Sequence, residues 1–412
     1  MRDFSIAAVT MPATRCMSRT PLARLAANTP YDDGLFAVAP MMDYTNQFMR
    51  FLLRRISLRQ TLYTEMVTAN TIVHCKESEL SRFLANDGDR EQPSVLQLGG
   101  ANPEMLRKAS AIALPWGYTA INLNVGCPSD RVAGSGCFGA ALMREPQLVA
   151  DCCAAMSDGV SGQVPITVKC RIGITEDKAR AAEADDERDY AALAHFVDTV
   201  SSRGGVECFA VHARNAVLGG LSPAQNRQIP PLRYHLVRRL AADFPSLRFS
   251  LNGGIETMEA AVQEMHGERV DGNPGDGQIS GVMVGRAVVA RPWDWSTLDT
   301  QLYRSPTNPA ACRRQVLDEY CDYVAAFEAS VPQRVRHLLL APALNLFHGE
   351  PHGKQFRRTV DQMATAHKDR SAAELLRGAS QEVLLEATLD APPGWRWDRN
   401  TREYMPFESV TK

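Results

Sequence analysis

Eight short apolar runs, rich in strand-forming residues, recur between residues 35 and 287 of this chain. They are LFAVAP (35–40), TLYTEM (61–66), PSVLQLGG (93–100), AINLNVG (120–126), PITVKCRIG (165–173), VECFAVHAR (206–214), LRFSLNGGI (247–255) and SGVMVGRA (280–287). Segments with helical spacing, such as EMLRKASAIA and DYAALAHFVDTVSS, separate them. Strands that are apolar along their length and alternate with helices indicate a parallel sheet covered by helices. Eight such units in about 250 residues predict an α/β fold, the closed (β/α)8 TIM barrel.

An open, doubly wound sheet is the alternative arrangement. It would require a Gly-rich GxGxxG turn after an early strand, and the sequence has none. In a barrel, the carboxyl ends of the strands form the face where active sites are built. Chemically useful residues at the ends of the runs are therefore expected to surround one site. They are Met41–Asp43, Glu65, Gln97, Asn124, Lys169, His212, Asn252 and Arg286.

The pattern changes on both sides of the predicted barrel, which we assign to residues 31–305. Residues 1–30 contain four arginines and a single acid, Asp3, a composition that fits either an organellar transit peptide or a disordered tail. Residues 306–385 are predicted to form a helical domain, and 386–412 an irregular C-terminal tail. The charged segment 174–192 and the Gly-rich segment 266–278 are expected to be insertions between barrel elements, the first a solvated loop or a helix extension.

Composition limits the classes of protein that this chain can belong to. The net charge of −2 over 412 residues argues against a protein that coats nucleic acid nonspecifically, although a local basic face remains possible. The sequence contains no run of eighteen apolar residues, so no membrane-spanning helix is expected. The ten cysteines include no CxxC pair and several lie in apolar runs, which indicates free thiols in a reducing compartment. We expect the cytoplasm, or a mitochondrion or plastid if residues 1–30 are a transit peptide.

Two Gly-containing loops late in the predicted barrel indicate a phosphate site. Asn252, Gly253 and Gly254 follow the seventh run, and Gly285 and Arg286 follow the eighth. Glycine lets a backbone approach an anion closely, and loops after strands seven and eight are the usual phosphate site of this fold. Arg286 could add a charge-assisted contact. A simple turn remains the alternative for either loop taken alone.

Earlier strand ends offer residues that suit a flat cofactor ring. Pro40, Met41 and Met42 can pack against a ring, although core packing would also explain the methionines. Gln97 and Lys169 supply hydrogen bonds, and a buried lysine requires a partner. His212 is either a core histidine or part of the site. Flavin mononucleotide fits this set, and pyridoxal phosphate is the alternative. No His/Asp/Glu cluster has ligand spacing, so no metal is expected.

The stretch AINLNVGCPSDRVAGSGCFGAALM, residues 120–143, ends an apolar run in Asn124 and then places Cys127 in a loop rich in Gly and Pro. Such a loop is costly to order, so an ordinary connection would rarely use it. Cys127 is therefore either a small buried side chain or a thiol held for chemistry.

Taken together, these motifs resemble the A-type subfamily of the tRNA-dihydrouridine synthases over residues 33 to 365. The matching stretches are APMMDYTN, LYTEMVTA, VLQLGG, INLNVGCPSDRVAGSGCFGAALM, VKCRIGI, VHARNAVLGGLSPAQNRQIPPL, NGGI and VMVGRA. The resemblance implies a flavin enzyme that reduces a D-loop uridine of tRNA, near position 20 (U20/U20a), to dihydrouridine. NADPH reduces FMN, the flavin gives hydride to C6 of the base, and a cysteine protonates C5.

The resemblance also implies a role for particular residues. Cys127 corresponds to the proton donor, with Cys137 as the weaker alternative, and Asn124 would hold the uracil. Residues expected to bind FMN are Pro40, Met41, Met42, Gln97, Lys169, His212, Asn252, Gly253, Gly254, Gly285 and Arg286. The expected tRNA contacts are Arg227, Arg336, Arg357 and Arg358, with Arg334 and Lys354 on the same basic face.

Several positions depart from the subfamily pattern. Ala141 stands where a second cysteine is often found, and Ala224 replaces a basic residue near Arg227. The LLLAPALNLF stretch is longer than usual, which leaves the helix register in the tRNA-binding region open. Two other functions remain: a flavin oxidoreductase acting on a small pyrimidine-like substrate, and a catalytically silent RNA-binding barrel. We expect a monomer.

Overall fold

The computed structural model describes residues 34–128, 138–176, 185–219, 221–266, 277–328 and 336–406. Eight parallel strands close into a ring in which each strand pairs with its neighbours in the sequence. The strands are β1 (Phe36–Val38), β2 (Thr61–Thr68), β3 (Ser94–Gly99), β4 (Ala120–Val125), β5 (Ile166–Arg171), β6 (Cys208–His212), β7 (Arg248–Asn252) and β8 (Gly281–Val284). The predicted TIM barrel is confirmed, and seven strands lie within their predicted runs, whereas β2 extends two residues beyond 61–66 to Thr68.

The ring closes where the first strand pairs with the last. Phe36, Ala37 and Val38 of β1 lie opposite Val282, Met283 and Val284 of β8. Successive side chains of a strand point to opposite faces of the sheet, so each strand contributes to two layers. Small and medium-sized side chains fill the barrel interior, among them Ala37, Val95, Ala210 and Met283. Larger apolar side chains form the outer layer under the helices.

Helices cover the outside of the ring. They are α1 (Gln47–Ile56), α2 (Ala69–His74), α3 (Pro103–Ala113), α4 (Pro146–Gly159), α5 (Asp186–Gly204), α6 (Tyr234–Asp243), α7 (Met258–His266) and α8 (Arg286–Ala290). Local sequence explains where several of them begin. The Asn46 side chain caps α1 by accepting from two backbone N–H groups of the first turn, and the Asn102 side chain caps α3 by accepting from one. Asp185 caps α5 in the same way.

Helix α5 covers part of the segment that was expected to be an insertion. Its first turn begins at Asp186, inside the predicted insertion 174–192, so this part is a helix extension rather than a loop. Residues 177–184 lie outside the described residues, as do 267–276 of the second predicted insertion and residues 1–30.

Further helices follow the barrel and pack on one side of it. They are α9 (Arg313–Glu328), α10 (Arg336–Leu344), α11 (Gly353–Ala366), α12 (Ala372–Val383) and α13 (Glu386–Asp390). Aromatic contacts join α9 to α1: Phe51 stacks on Tyr323 with ring centroids 3.8 Å apart, and Phe48 meets Phe327 edge-on at 4.9 Å. A capping box between Ser371 and Glu374 begins α12.

The segment after residue 385 is more ordered than the sequence suggested. Besides α13, it contains an antiparallel hairpin of β9 (Trp395–Asp398) and β10 (Glu403–Pro406). This corrects the prediction of an irregular tail at 386–412, for the described part of it. Trp397 and Tyr404 lie opposite each other in the hairpin, with ring centroids 5.3 Å apart. Such cross-strand aromatic pairs stabilise hairpins.

Candidate active site

Strand β5 places two cations on the inner face of the barrel. Lys169 and Arg171 are two residues apart and share that face, whereas Cys170 between them packs in the outer core. Lys169 Nζ donates a hydrogen bond to Asn252 Oδ1 at 2.9 Å, and Asn252 Nδ2 donates to the carbonyl of Met283 at 2.7 Å. Desolvation, followed by the charge of Arg171, lowers the pKa of Lys169 to about 8. The lysine thus has one neutral partner and no anionic one among these contacts.

His212 and Gly253 meet at the carboxyl ends of β6 and β7. A Cβ atom at Gly253 would lie 2.5 Å from His212 Cδ2, and the φ of Gly253 is +114°. Only glycine satisfies both conditions. Burial, and then the charges of Arg171 and Lys169, hold the pKa of His212 well below its usual value. The imidazole is therefore neutral at neutral pH, with one N–H donor and one acceptor nitrogen.

The opening of the barrel at the carboxyl ends of its strands, which we call the mouth, carries an excess of positive charge near Lys169 and His212. Burial and neighbouring cations lower the pKa of Arg171 to about 10. Desolvation, and then the charge of Arg286, lowers the pKa of Arg227. Desolvation also lowers the pKa of Arg214, with a smaller contribution from Arg286. Such mutual repulsion between cations favours the binding of an anion at this end of the barrel.

Uncharged polar groups on β3, β4 and β5 line the barrel interior next to Lys169. Gln97 Nε2 donates to Asn122 Oδ1 at 2.9 Å, and Asn122 Nδ2 donates to Thr167 Oγ1 at 2.8 Å. Because buried polar groups need partners, this chain of hydrogen bonds fixes the orientation of Gln97.

The loop after β1 lies next to the loop after β8. Pro40 and Met41 are half-buried, and Met42 is 54% exposed. A Cβ atom at Gly285 would lie 3.2 Å from Met41 Sδ. The first and last predicted cofactor loops therefore come together at the mouth.

Asn124 holds the start of the loop that carries Cys127. Its Oδ1 accepts hydrogen bonds from the backbone N–H groups of Gly126 at 3.0 Å and Cys127 at 3.1 Å. Its Nδ2 donates to Met66 Sδ at 3.0 Å, and Gln97 Oε1 lies 3.4 Å away. The Cys127 carbonyl accepts from Ala140 at 2.8 Å, and the thiol is half-buried. Cys137 lies outside the described residues.

Sequence reasoning missed Arg171, which fixes the Cys127 loop from the other side. Its guanidinium is buried and donates to the carbonyls of Gly126 at 2.9 Å, Asn215 at 3.1 Å and Asn226 at 3.1 Å. The sulfur of Cys127 is close enough to influence the pKa values of Lys169, Arg171 and Arg227. The available signal was its position two residues after Lys169, which places both side chains on the same face.

The expected tRNA contacts differ in what they do in the structure. Arg227 and Arg358 are exposed. Arg357 is half-buried, and its NH1 lies 3.3 Å from Asn345 Oδ1 and 3.4 Å from His348 Nδ1. Arg336 donates to the carbonyls of His367 and Lys368 at the end of α11, so its guanidinium also supports the fold. Arg334 lies outside the described residues.

Comparison with known proteins gives the family. Residues 37–384 match the model described as Dihydrouridine synthase (Dus). The chain belongs to this family. It is 43% identical to the tRNA-dihydrouridine(20/20a) synthase of Xylella fastidiosa (strain 9a5c) over 80% of this chain and 87% of that one. The protein of that name from Vibrio parahaemolyticus is 41% identical over 85% and 97%, and that from Synechocystis 40% over 85% and 92%.

Two further properties concern only the part of the chain that the structure describes. Within it, no helix is both long and apolar enough to cross a membrane. The same residues contain no group of three or more His, Cys, Asp or Glu side chains placed to hold a metal ion.

Proposed function

We propose that this protein reduces the C5–C6 double bond of a D-loop uridine in tRNA, at U20 or U20a, in an FMN-dependent and NADPH-driven reaction with Cys127 as general acid. The observation that carries the proposal is the position of Cys127. Asn124 and Arg171 hold its loop at the carboxyl face of the barrel, beside Lys169 and Arg227. The relatives that share 40–43% identity with the chain are named for this activity.

The residues at the mouth fit FMN. The cations Lys169 and Arg286 supply charge for an anionic ligand, the neutral His212 supplies a hydrogen bond, and Gly253 lets the backbone approach closely. Met41 and Gln97 lie where a flat ring would meet an apolar surface and an amide. The complete proposed set is Pro40, Met41, Met42, Gln97, Lys169, His212, Asn252, Gly253, Gly254, Gly285 and Arg286. When bound and reduced by NADPH, the flavin supplies the hydride for C6.

Cys127 supplies the proton. Hydride addition at C6 leaves negative charge at C5, and a general acid must deliver a proton there. The thiolate that remains lies close to Lys169, Arg171 and Arg227, and nearby cations stabilise a thiolate. In this proposal Asn124 has two tasks: its Oδ1 orders the Cys127 loop and its Nδ2 can turn toward a carbonyl of the uracil.

The tRNA would bind across the mouth and the helices that follow the barrel. A base must leave its stack to reach the inside of the barrel mouth. Arg227 lies beside the mouth, and Arg336, Arg357 and Arg358 lie on α10 and α11. We propose that residues 31–305 form the catalytic domain and 306–385 a tRNA-binding domain, and that the protein acts as a monomer.

The test is a reconstituted reaction. Purified protein should show flavin absorbance, and with NADPH it should form dihydrouridine at position 20 or 20a of an unmodified tRNA transcript. Free uridine under the same conditions should remain unreduced, which separates this activity from that of a small-molecule reductase. Protein that cannot take up flavin, or flavin-loaded protein that leaves the tRNA unchanged, would refute the proposal.

A further inference from the structure

A second concave site is lined by none of the residues proposed for the active site. It is a cavity of about 340 Å³ between the segment Pro292–Trp295 after α8, the loop after α10 and the C-terminal hairpin. Aromatic and basic side chains that line it include Trp293, Trp395, Trp397, Arg399 and His348. The family match ends at residue 384, so the hairpin that forms one wall lies beyond it.

The hairpin wall is firmly attached. The Tyr404 hydroxyl donates to Glu350 Oε2 at 2.5 Å, and Glu350 also pairs with Arg313. The guanidinium of Arg313 lies 5.0 Å from the ring centroid of Trp293 and 5.9 Å from that of Tyr404. Because Arg313 is only 2% exposed, the hairpin is joined to the helices and to the barrel through a buried ion pair. The wall of the cavity is therefore held in place by buried contacts of the fold.

Four arginines and three carboxylates, Glu259 among them, line the cavity, so one positive charge is in excess and favours an anion. Arg313 is paired with Glu350, and Arg291 lies 3.4 Å from Asp294. Arg399 is exposed and forms no ion pair with the described residues. Trp395 is 37% exposed, an unusual state for so large an apolar side chain. The wall thus combines an accessible indole with an unneutralised guanidinium.

We propose that this cavity binds an unstacked nucleotide of the tRNA, with the base on Trp395 and the phosphate near Arg399. Aromatic rings and guanidinium planes are the surfaces on which proteins stack single-stranded bases. The cavity also adjoins both parts of the proposed tRNA surface. Arg291 donates to the carbonyl of Glu256 in the loop after β7, at the carboxyl face, and His348 lies 3.4 Å from Arg357. The inference rests on the proposed function, because it requires tRNA as substrate.

The experiment measures the dissociation constant of the flavin-loaded protein for unmodified tRNA transcript at several salt concentrations. Trp395→Ala should raise this constant about ten-fold, the effect typical of losing one base stack, and Trp395→Phe should restore most of the affinity. Arg399→Gln should reduce the salt dependence by about one phosphate contact. Glu403→Gln, in the same hairpin but outside the cavity lining, is the matched control. Flavin content and the KM for NADPH, with dioxygen as acceptor, should stay unchanged in all four variants.

Each outcome decides between specific alternatives. If Trp395→Ala and Arg399→Gln both bind tRNA within two-fold of the wild-type protein, the cavity is not a tRNA site. If instead the KM for NADPH rises while tRNA affinity is unchanged, the cavity binds the dinucleotide and the inference is wrong. Wild-type protein that neither binds nor reduces tRNA would refute the proposed function itself. The Phe variant and Arg399→Gln keep the test valid if Trp395→Ala loosens the hairpin.

Discussion

At the scale of single residues, the general-acid role proposed for Cys127 would depend on cations to which its sulfur is not bonded. Lys169, Arg171 and Arg227 all lie within electrostatic range of its sulfur. When the thiol gives up a proton, these charges stabilise the anion that is left behind. The same cations attract the phosphate and the reduced ring of the proposed cofactor, so one set of charges can serve two anions.

Replacing Cys127 with Ala should separate cofactor binding from proton delivery. We expect the variant to keep its flavin and its oxidation of NADPH by dioxygen, because no proposed flavin contact is lost. Dihydrouridine formation should fall by roughly 100-fold or more, the usual contribution of a general acid. Single-turnover assays on tRNA measure this, with Cys312→Ala, another half-buried cysteine, as the control. Unchanged turnover in Cys127→Ala would remove this thiol from the mechanism.

Lys169 should make flavin affinity depend on pH. Its pKa in the folded protein, about 8, lies below the usual lysine value, so its charge is present below pH 8 and is lost above it. Retention of the anionic cofactor should therefore weaken as the pH rises from 7 to 9. Fluorescence of released FMN measures this.

In the variant Lys169→Met the affinity should be lower at pH 7 and the pH dependence over this window should disappear. Stability of the flavin-free protein should respond in the opposite direction. The unfolded chain keeps the lysine proton up to about pH 10.5, so this residue makes folding more favourable as the pH rises from 8 to 10.5. A variant with the same pH profile as the wild-type protein would show that Lys169 is not the group that titrates.

At the scale of elements, strand β5 connects two loops through one side chain. Arg171 at its carboxyl end binds carbonyls of the loop after β4 and of the loop after β6. Arg54 makes a comparable set of buried bonds elsewhere, to the carbonyls of Ser57, Gln60, Glu91 and Pro93. Comparing substitutions of these two arginines therefore separates an effect on the stability of the fold from an effect on the active site.

Arg171→Met should lower the free energy of unfolding by about 2–4 kcal/mol, because it leaves buried carbonyls without a donor. It should also abolish most dihydrouridine formation, since the Cys127 loop loses its fixed position. Arg54→Met should cost similar stability yet leave the turnover of the folded protein near the wild-type value. Chemical denaturation and single-turnover assays at low temperature measure the two effects. Equal turnover in both variants would mean that Arg171 only supports the fold.

The elements of the barrel could be predicted from the sequence because each strand is a local apolar run with its own pattern. Contacts between distant elements could not. Gln97, Asn122 and Thr167 belong to three strands, and only the register of the ring brings their side chains into one chain of hydrogen bonds. The hairpin was missed for a similar reason. Its strands have four residues each, and Tyr404 is held by Glu350, more than fifty positions away.

Residues of the site were also predicted where the signal is local in the sequence, and missed where it depends on contacts between distant segments. The motifs placed Lys169, His212, Asn252 and Cys127 at strand ends, and the structure brings these residues to one face. The role of Arg171 depends on carbonyls that lie 44 and 55 positions further along the chain. No pattern within a single segment reports such a contact.

At the scale of the whole molecule, binding of tRNA should depend on the basic face of α11. Arg358→Gln combined with Arg357→Gln should weaken tRNA binding and reduce its salt dependence, because fewer phosphates are neutralised. NADPH oxidation by dioxygen should change little. Arg203→Gln, an exposed arginine in the last turn of α5, serves as the control at the opposite end of the barrel. Equal affinity for tRNA in the double variant and the control would mean that the basic face of α11 does not bind tRNA.

The pairing of β1 with β8 has a consequence for how the protein is made. The loop after β1 and the loop after β8 are almost 250 positions apart, and they touch only when the ring has closed. A ribosome must therefore release more than two thirds of the chain before the proposed cofactor pocket exists. Capture of flavin at the proposed site can thus follow barrel assembly but cannot begin it, and yellow colour in a preparation would report molecules whose barrel has closed.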